Sequence, residues 1–450
     1  MSKTIQESSL SRRSFLMKTA TLVGATVVAN TISISQAAAQ EGPELLNSRM
    51  TPVVSGITYQ HIGRWEVSHL NHILSVEAPA FTGFKVDYKP ALNAVDLFRV
   101  TYPSVIPERN NRPTTASGLV AIPVNAETTP RLISYQHGTV YGRQEVPSFP
   151  DQSPETQLMI AAFAGRGDVL IGADYFGMGL SKEPESYLVL ESQQQACADM
   201  IRAGQAVLAD RGVQTNDLFL SGWSEGGFVT MALLEFLQRE NLAVKAAATA
   251  SAPLDLFAGM SGYLNFPRPN DAPWLNSIFV LSAFAYESYY DVPGLARSFF
   301  NPKYYDLCSA LYSRQLSDLN KIPTDLHRLI RAEYFNPNYF MQSEFGRLVH
   351  RNQVYRWVIE TPTRNYYGEA DEAITVGLGK LAMSYQTGMG NKKVLAISAG
   401  SDATHRGTFA RAVNVKEMGL RAQKSLACED HLTGSESGYA GSGRNPNLIS

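Results

Sequence analysis

The chain has 450 residues, 44% hydrophobic and 18% charged, with 39 basic against 41 acidic side chains and a formal net charge of −2. The two signs are interspersed, so there is no basic patch for nucleic acid or an anionic membrane surface, and neither partner is expected. Length and apolar content suffice for one large core with an inserted or appended second unit.

The first element is an address. Ser11-Arg12-Arg13-Ser14-Phe15-Leu16-Met17-Lys18 precedes an uncharged run from Thr19 to Ala39 that ends in Ala37-Ala38-Ala39. An arginine pair followed by Phe-Leu is the twin-arginine export pattern, and the alanines supply the small side chains a signal peptidase needs. Residues 1–39 are therefore expected to be a cleaved signal peptide, with the twin-arginine machinery as a partner and a periplasmic or secreted destination. The run from Thr19 is rich in Thr, Ser and Ala, too weakly apolar for a stable membrane anchor. That route moves folded proteins, so Cys197, Cys308 and Cys428 should be packing residues. They are odd in number, far apart and without a CxxC spacing.

Two β-rich runs, AVDLFRVTYPS (94–104) and TASGLVAIPV (115–124), flank a turn-rich VIPERNNRP and read as an antiparallel pair. Short apolar runs then alternate with helical segments: RLISYQ (131–136), VLIGADY (169–175), LFLSG (218–222) and VKAAATA (244–250). That alternation predicts an α/β fold with a mostly parallel sheet covered by helices on both faces. One helix is expected over 190–209, where Met200, Ile201, Gly204, Val207 and Leu208 share a face, and another from Gly226 to about Arg239.

From Phe257 to Trp357, 21 of 101 positions are aromatic, twice the 10% of the whole chain, and prolines, among them Pro267, Pro269, Pro273, Pro293, Pro302 and Pro323, break the helical segments. This stretch reads as a helical insertion. Strands RNYYG (364–368) and KVLAISAG (393–400) follow, separated by a helix near 378–387. The expected organisation is a core over 40–256 and 358–432, a cap over 257–357, and a Gly/Ser-rich tail over 433–450.

Gly222-Trp223-Ser224-Glu225-Gly226 has the G-x-S-x-G pattern between an apolar strand and an amphipathic helix. A serine on such a strained turn projects its hydroxyl into a cleft, while the glycines remove side chains that would collide there. The helix N-terminus lets the Glu225 N–H donate to a developing oxyanion. A hydroxyl needs a base, and a histidine base needs a carboxylate to fix its tautomer. Both should follow downstream, each after a strand, in the order serine, acid, histidine. YYGEADEAI places Asp371 just past one strand, and AISAGSDATHRG places His405 past the next.

Other residues compete. His431 rivals His405, and Glu369 and Glu372 flank Asp371. An Asp at that offset is also a plain helix cap. His61, His69 and His72 precede the sheet; His69 and His72 make an H-x-x-H pair with no third ligand, and no metal is expected. His327 and His350 fall in the insertion and should pack or face solvent. His137-Gly138-Thr139 after RLISYQ supplies the second oxyanion donor, the Thr139 N–H, with His137 holding the loop. Gly177-Met178-Gly179 fails as a dinucleotide site, because the sixth position of the pattern is Lys182 and no acidic ribose partner follows. No cofactor is expected.

With these residues the chain resembles the α/β-hydrolase superfamily, in its secreted lipase-like and carboxylesterase branch, over roughly Ala94 to Cys428. The resemblance rests on Gln136-His137-Gly138-Thr139, on Asp174-Tyr175 with the following Gly-x-Gly and Ser181, and on the helix containing ADMIRA. The GWSEGG turn and the late Asp371 and His405 complete it. It implies a Ser224-Asp371-His405 triad, a helical cap before the acid-bearing strand, and hydrolysis of carboxylic esters through an acyl-enzyme. Glu225 departs from the family, which often has a neutral residue there. An anion beside the nucleophile would raise the histidine's pKa or disfavour acidic substrates. Two alternatives stay open: a peptidase or amidase with the same triad, and a non-catalytic module on a hydrolase fold.

Overall fold

The computed structural model describes residues 50–414, apart from Ser55, Glu127, Thr128 and Ser317. The signal segment, the Gly/Ser tail, Cys428 and His431 lie outside the described residues. The compact unit that begins at Pro52 is built on one ten-stranded sheet.

Its strands are β1 (Thr51–Val54), β2 (Ile57–Trp65), β3 (Val95–Ile106), β4 (Arg112–Pro123), β5 (Leu132–Gln136), β6 (Val169–Ala173), β7 (Leu218–Trp223), β8 (Ala246–Ala250), β9 (Thr363–Tyr367) and β10 (Val394–Ser398). Their spatial order is β1-β2-β3-β4-β6-β5-β7-β8-β9-β10. β2, β3, β4 and β6 pair antiparallel, and every pair from β6 through β5, β7, β8 and β9 to β10 is parallel.

The hairpin of β3 and β4 is longer than the alternation predicts. The ladder runs from Val95↔Pro123 to Ile106↔Arg112, taking Val105, Ile106, Arg112 and Pro113 from the turn-rich stretch. Asn110 and Asn111 both take φ of 55°, a conformation Asn tolerates, and so close the hairpin in little space. Strand β2, next to the edge strand β1, goes unread in the sequence because its face alternates only weakly between buried and exposed.

Successive side chains of the parallel strands enter opposite cores, as period-two geometry requires. Leu220 joins one apolar cluster and Phe219 the other. On the first face lie helix Leu190–Asp210 and helix Glu225–Arg239, contributing Met200, Val207, Val229 and Leu233. On the second lie helix Pro154–Ala162 and the helix that starts at His405, contributing Leu158, Phe409 and Val413.

Between β8 and β9 the chain passes through helices that include Leu256–Asn265, Asn276–Tyr289 and Glu344–Arg351. Aromatic residues here pack mostly on one another: Phe299 lies 4.2 Å from Phe345 and 4.6 Å from Tyr334, centroid to centroid. Phe279, Phe299, Phe300 and Phe340 are fully buried in the same cluster as the first face of the sheet. Cys197 and Cys308 are free, buried thiols.

Candidate active site

Ser224 stands between the last residue of β7 and the first of helix Glu225–Arg239, at φ 57° and ψ −124°. An L-residue in that region is strained by roughly 1–3 kcal/mol, so neighbours must hold it. The Ser224 N–H donates to the Ala250 carbonyl at 2.9 Å, tying the turn to the end of β8. A Cβ at Gly222 would collide with the Gly226 carbonyl, and one at Gly226 with the Gln136 carbonyl. Both glycines are required because backbone passes where side chains would stand.

The structure brings Ser224, His405 and Asp371 together. His405 Nε2 lies 2.8 Å from Ser224 Oγ, and His405 Nδ1 lies 3.1 and 3.2 Å from the two Asp371 carboxylate oxygens. His405 opens its helix seven residues past the end of β10. Its N–H donates to Glu372 at 3.0 Å and its carbonyl accepts from the Trp223 indole at 3.1 Å. Trp223 and Trp274 flank the imidazole at 5.2 and 5.6 Å between centroids.

Asp371 Oδ1 accepts the Ala373 and Ile374 N–H groups, each at 2.8 Å, and Oδ2 accepts the Ser251 hydroxyl at 2.6 Å. Burial alone would push this carboxyl up. His405, Ser251 and the Ile374 N–H outweigh it and hold it below the usual carboxylate range. Asp371 therefore stays ionised.

The rivals are placed elsewhere. Glu369 accepts from Ser398, and Glu372 holds the His405 backbone. His61 and His72 face Asp96 and Glu77, while His69 meets Trp65 edge-on. His327 stacks on Phe335, and His350 meets Phe257 edge-on.

Thr139 and Glu225 line one pocket with Ser224 and His405. The first N–H of a helix has no intrahelical acceptor, so that of Glu225 remains for a ligand. The Thr139 hydroxyl meets the Tyr187 hydroxyl at 3.0 Å. The Glu225 side chain turns inward, 4% exposed, and accepts from Gln193 at 2.6 Å. Burial first, then the nearby Glu185 carboxylate, push the Glu225 carboxyl well above its ordinary value. Its surroundings therefore disfavour the charged form, against the expectation of an anion at this position.

The pocket is narrow, about 40 Å³, and largely apolar. Its floor comes from Tyr187 and Leu188, and its far wall from Met260, Tyr263, Trp274 and Ile278 of the segment between β8 and β9. Few of that segment's aromatics reach the pocket; most build the segment's own interior. A buried ion pair ties the segment down: Arg314, itself at φ 62°, bonds Glu185 and donates to the Tyr141 carbonyl at 3.2 Å. Sequence reasoning missed Ser251, Gln193 and Arg314, and weighed Glu372 only as a rival to Asp371 rather than as the holder of the His405 backbone. All act through long-range contacts that no local motif marks.

Among solved structures, the chain is similar to a Legionella pneumophila protein described as a hydrolase, with a TM-score of 0.72, 19% identity and coverage of 86% of this chain and 100% of that one. It is similar to the rice cell wall degrading esterase LipA from Xanthomonas oryzae, with a TM-score of 0.70, 18% identity and coverage of 84% and 100%. A third is Candida antarctica lipase A, with a TM-score of 0.54, 14% identity and 77% of each chain covered. No family model and no curated protein matches the sequence.

Proposed function

We propose, on the premise that this chain has the α/β-hydrolase fold, that it is a serine hydrolase that cleaves carboxylic esters through an acyl-enzyme. One observation carries the reading: a strained, half-buried serine hydroxyl 2.8 Å from an imidazole nitrogen whose other nitrogen faces an ionised carboxylate.

In this reading Ser224 Oγ attacks the ester carbonyl while His405 Nε2 takes its proton. Asp371 keeps the proton on Nδ1 beforehand and stabilises the imidazolium that forms. The N–H groups of Thr139 and Glu225 receive the oxyanion. His405 then returns the proton to the leaving alcohol, and water repeats the sequence to release the acid. The apolar pocket takes the acyl portion. At roughly 10–15 Å³ per water-sized volume, its space holds about three such volumes, which favours short acyl groups.

The export pattern at Arg12-Arg13 supports a periplasmic or secreted enzyme delivered by the twin-arginine route. No helix of the described residues is long and apolar enough to cross a membrane.

Fluorophosphonate labelling and steady-state hydrolysis of nitrophenyl esters from acetate to palmitate test the proposal. Labelling should occur at Ser224 alone, with turnover highest for the shortest acyl groups. A chain that neither labels nor hydrolyses any of these esters is not this enzyme. Faster cleavage of a matched anilide than of the ester would favour the peptidase alternative.

A further inference from the structure

The turn His137-Gly138-Thr139 is held by a set of bonds that the chemistry above does not use. Gly138 is the pivot. A Cβ there would stand 3.1 Å from the Trp223 ring and 3.2 Å from both the Trp223 carbonyl and a Glu155 carboxylate oxygen, so a side chain would require these neighbours to give by a few tenths of an ångström. Glycine, however, has the freest backbone of any residue. A loop pivoting on it has no intrinsic reason to keep the next N–H, that of Thr139, aimed at the site.

Its freedom is removed from outside. The Gly138 N–H donates to both carboxylate oxygens of Glu155, at 3.1 and 3.0 Å. The Gly138 carbonyl meets His137 Nδ1 at 2.8 Å. The preceding carbonyl, of His137, accepts the Tyr175 hydroxyl at 3.0 Å, and the His137 ring stacks on Tyr175 at 4.1 Å. The Glu155 and Tyr175 bonds both fix the peptide between His137 and Gly138, and the His137 Nδ1 contact holds the next peptide, which carries the Thr139 N–H.

Glu155 is well suited to this task and to little else. It is 4% exposed and is the second residue of helix Pro154–Ala162, where the helix dipole favours a carboxylate. That helix is braced by its own cap, Ser153, which accepts from the Thr156 N–H at 3.3 Å. The carboxylate thus comes from a rigid element and ends one residue away from Thr139.

We propose that Glu155 is a positioning residue: its carboxylate locks the Gly138 peptide so that the Thr139 N–H is preset for the oxyanion. The proposal rests on the serine-hydrolase reading above. It gives Glu155 no contact with substrate. A misplacement of about 1 Å at such a donor costs on the order of 100-fold in rate, and the loss falls on the transition state rather than on ground-state binding.

The test compares Glu155→Ala, Glu155→Asp and Glu155→Gln with the parent enzyme. Readouts are kcat and KM for nitrophenyl acetate, and inhibition by a trifluoromethyl ketone, which forms a tetrahedral adduct on the serine. Glutamine keeps an acceptor at the same reach, whereas aspartate keeps the charge but falls short of the N–H. Glu155→Ala should lose about 100-fold in kcat with KM within about threefold, and inhibitor affinity should weaken in proportion. Glu155→Asp should lose at least about tenfold, and Glu155→Gln should retain most of the rate. If Glu155→Ala does not fold, the Asp and Gln variants decide between position and charge. Parent-like kcat and inhibitor affinity in Glu155→Asp, or in a folded Glu155→Ala, overturns the proposal. Ser224→Ala run in parallel separates the two readings: activity surviving there removes the serine mechanism, whatever Glu155 does.

Discussion

Replacing Asp371 by Asn is the sharpest test of the proposed mechanism, because the structure dictates how the amide must sit. Asp371 Oδ1 accepts two backbone N–H groups, from Ala373 and Ile374, and only the amide oxygen can replace it there. The NH2 group then occupies the Oδ2 position, where it faces the Ser251 hydroxyl and His405 Nδ1. The amide oxygen stays 3.1 Å from Nδ1, so the variant loses the charge that stabilises the imidazolium, and an NH2 that donates to Nδ1 in its place puts the imidazole proton on Nε2, the nitrogen 2.8 Å from Ser224 that must be free to accept. The wrong tautomer costs on the order of 10⁴-fold in kcat, or about 5.5 kcal/mol of barrier. Nitrophenyl acetate kinetics at pH 7 to 8, with a thermal melt to confirm the fold, measure it. A folded Asp371→Asn variant within tenfold of the parent would refute the role of this carboxylate.

Four further outcomes are expected. At position 224, both Ser→Ala and Ser→Gly should abolish turnover, but the glycine variant should be the more stable by about 1–2 kcal/mol, since only glycine adopts φ 57° and ψ −124° without strain; equal melting temperatures would mean the turn is not strained. Glu225→Gln should stabilise the protein increasingly as pH rises. The raised folded-state pKa means that ionisation above the unfolded value, about 4.3, favours the unfolded chain, with a slope of up to about 1.4 kcal/mol per pH unit that disappears in acid. Denaturant melts from pH 4 to 8 check the sign. Arg314→Met strands the buried Glu185 carboxylate and should cost about 3–5 kcal/mol, most of it recovered by adding Glu185→Gln; additivity of the two losses in a double-mutant cycle would contradict the pairing. Ile278→Ala should widen the pocket and move the best acyl chain upward by a few carbons in a nitrophenyl ester series; an unchanged profile would place the acyl group elsewhere.

The parallel sheet and its three converging residues were legible in the sequence for physical reasons. Strands buried on both faces read as short apolar runs, and a nucleophile turn needs glycines that backbone contacts leave no choice about. Ser224, Asp371 and His405 each follow a strand, so chain order alone could line them up. Their supports were not legible. Ser251 and Glu372 touch Asp371 and His405 from positions 120 and 33 residues away in sequence, with no periodicity to mark them. The character of Glu225 was also hidden: a carboxyl looks anionic in a sequence, and only its burial against Gln193 and near Glu185 shows that its charged form is disfavoured. The aromatic wealth of the segment between β8 and β9 was plain in the sequence, but where its rings point was not. Most of those rings fill the interior of a segment too irregular to be stabilised by helices alone.

The chain leaves the sheet at Ala250 and rejoins it at Thr363, on strands that are hydrogen-bonded neighbours with Ala247 opposite Thr363. Because these strands run parallel, with Ala250 opposite Tyr366, the exit and the re-entry lie at opposite edges of the sheet, and any intervening segment must cross from one edge to the other while leaving the strand register unaltered. Replacement of that segment would leave Ser224, Asp371 and His405, which follow β7, β9 and β10, with their spacing unchanged.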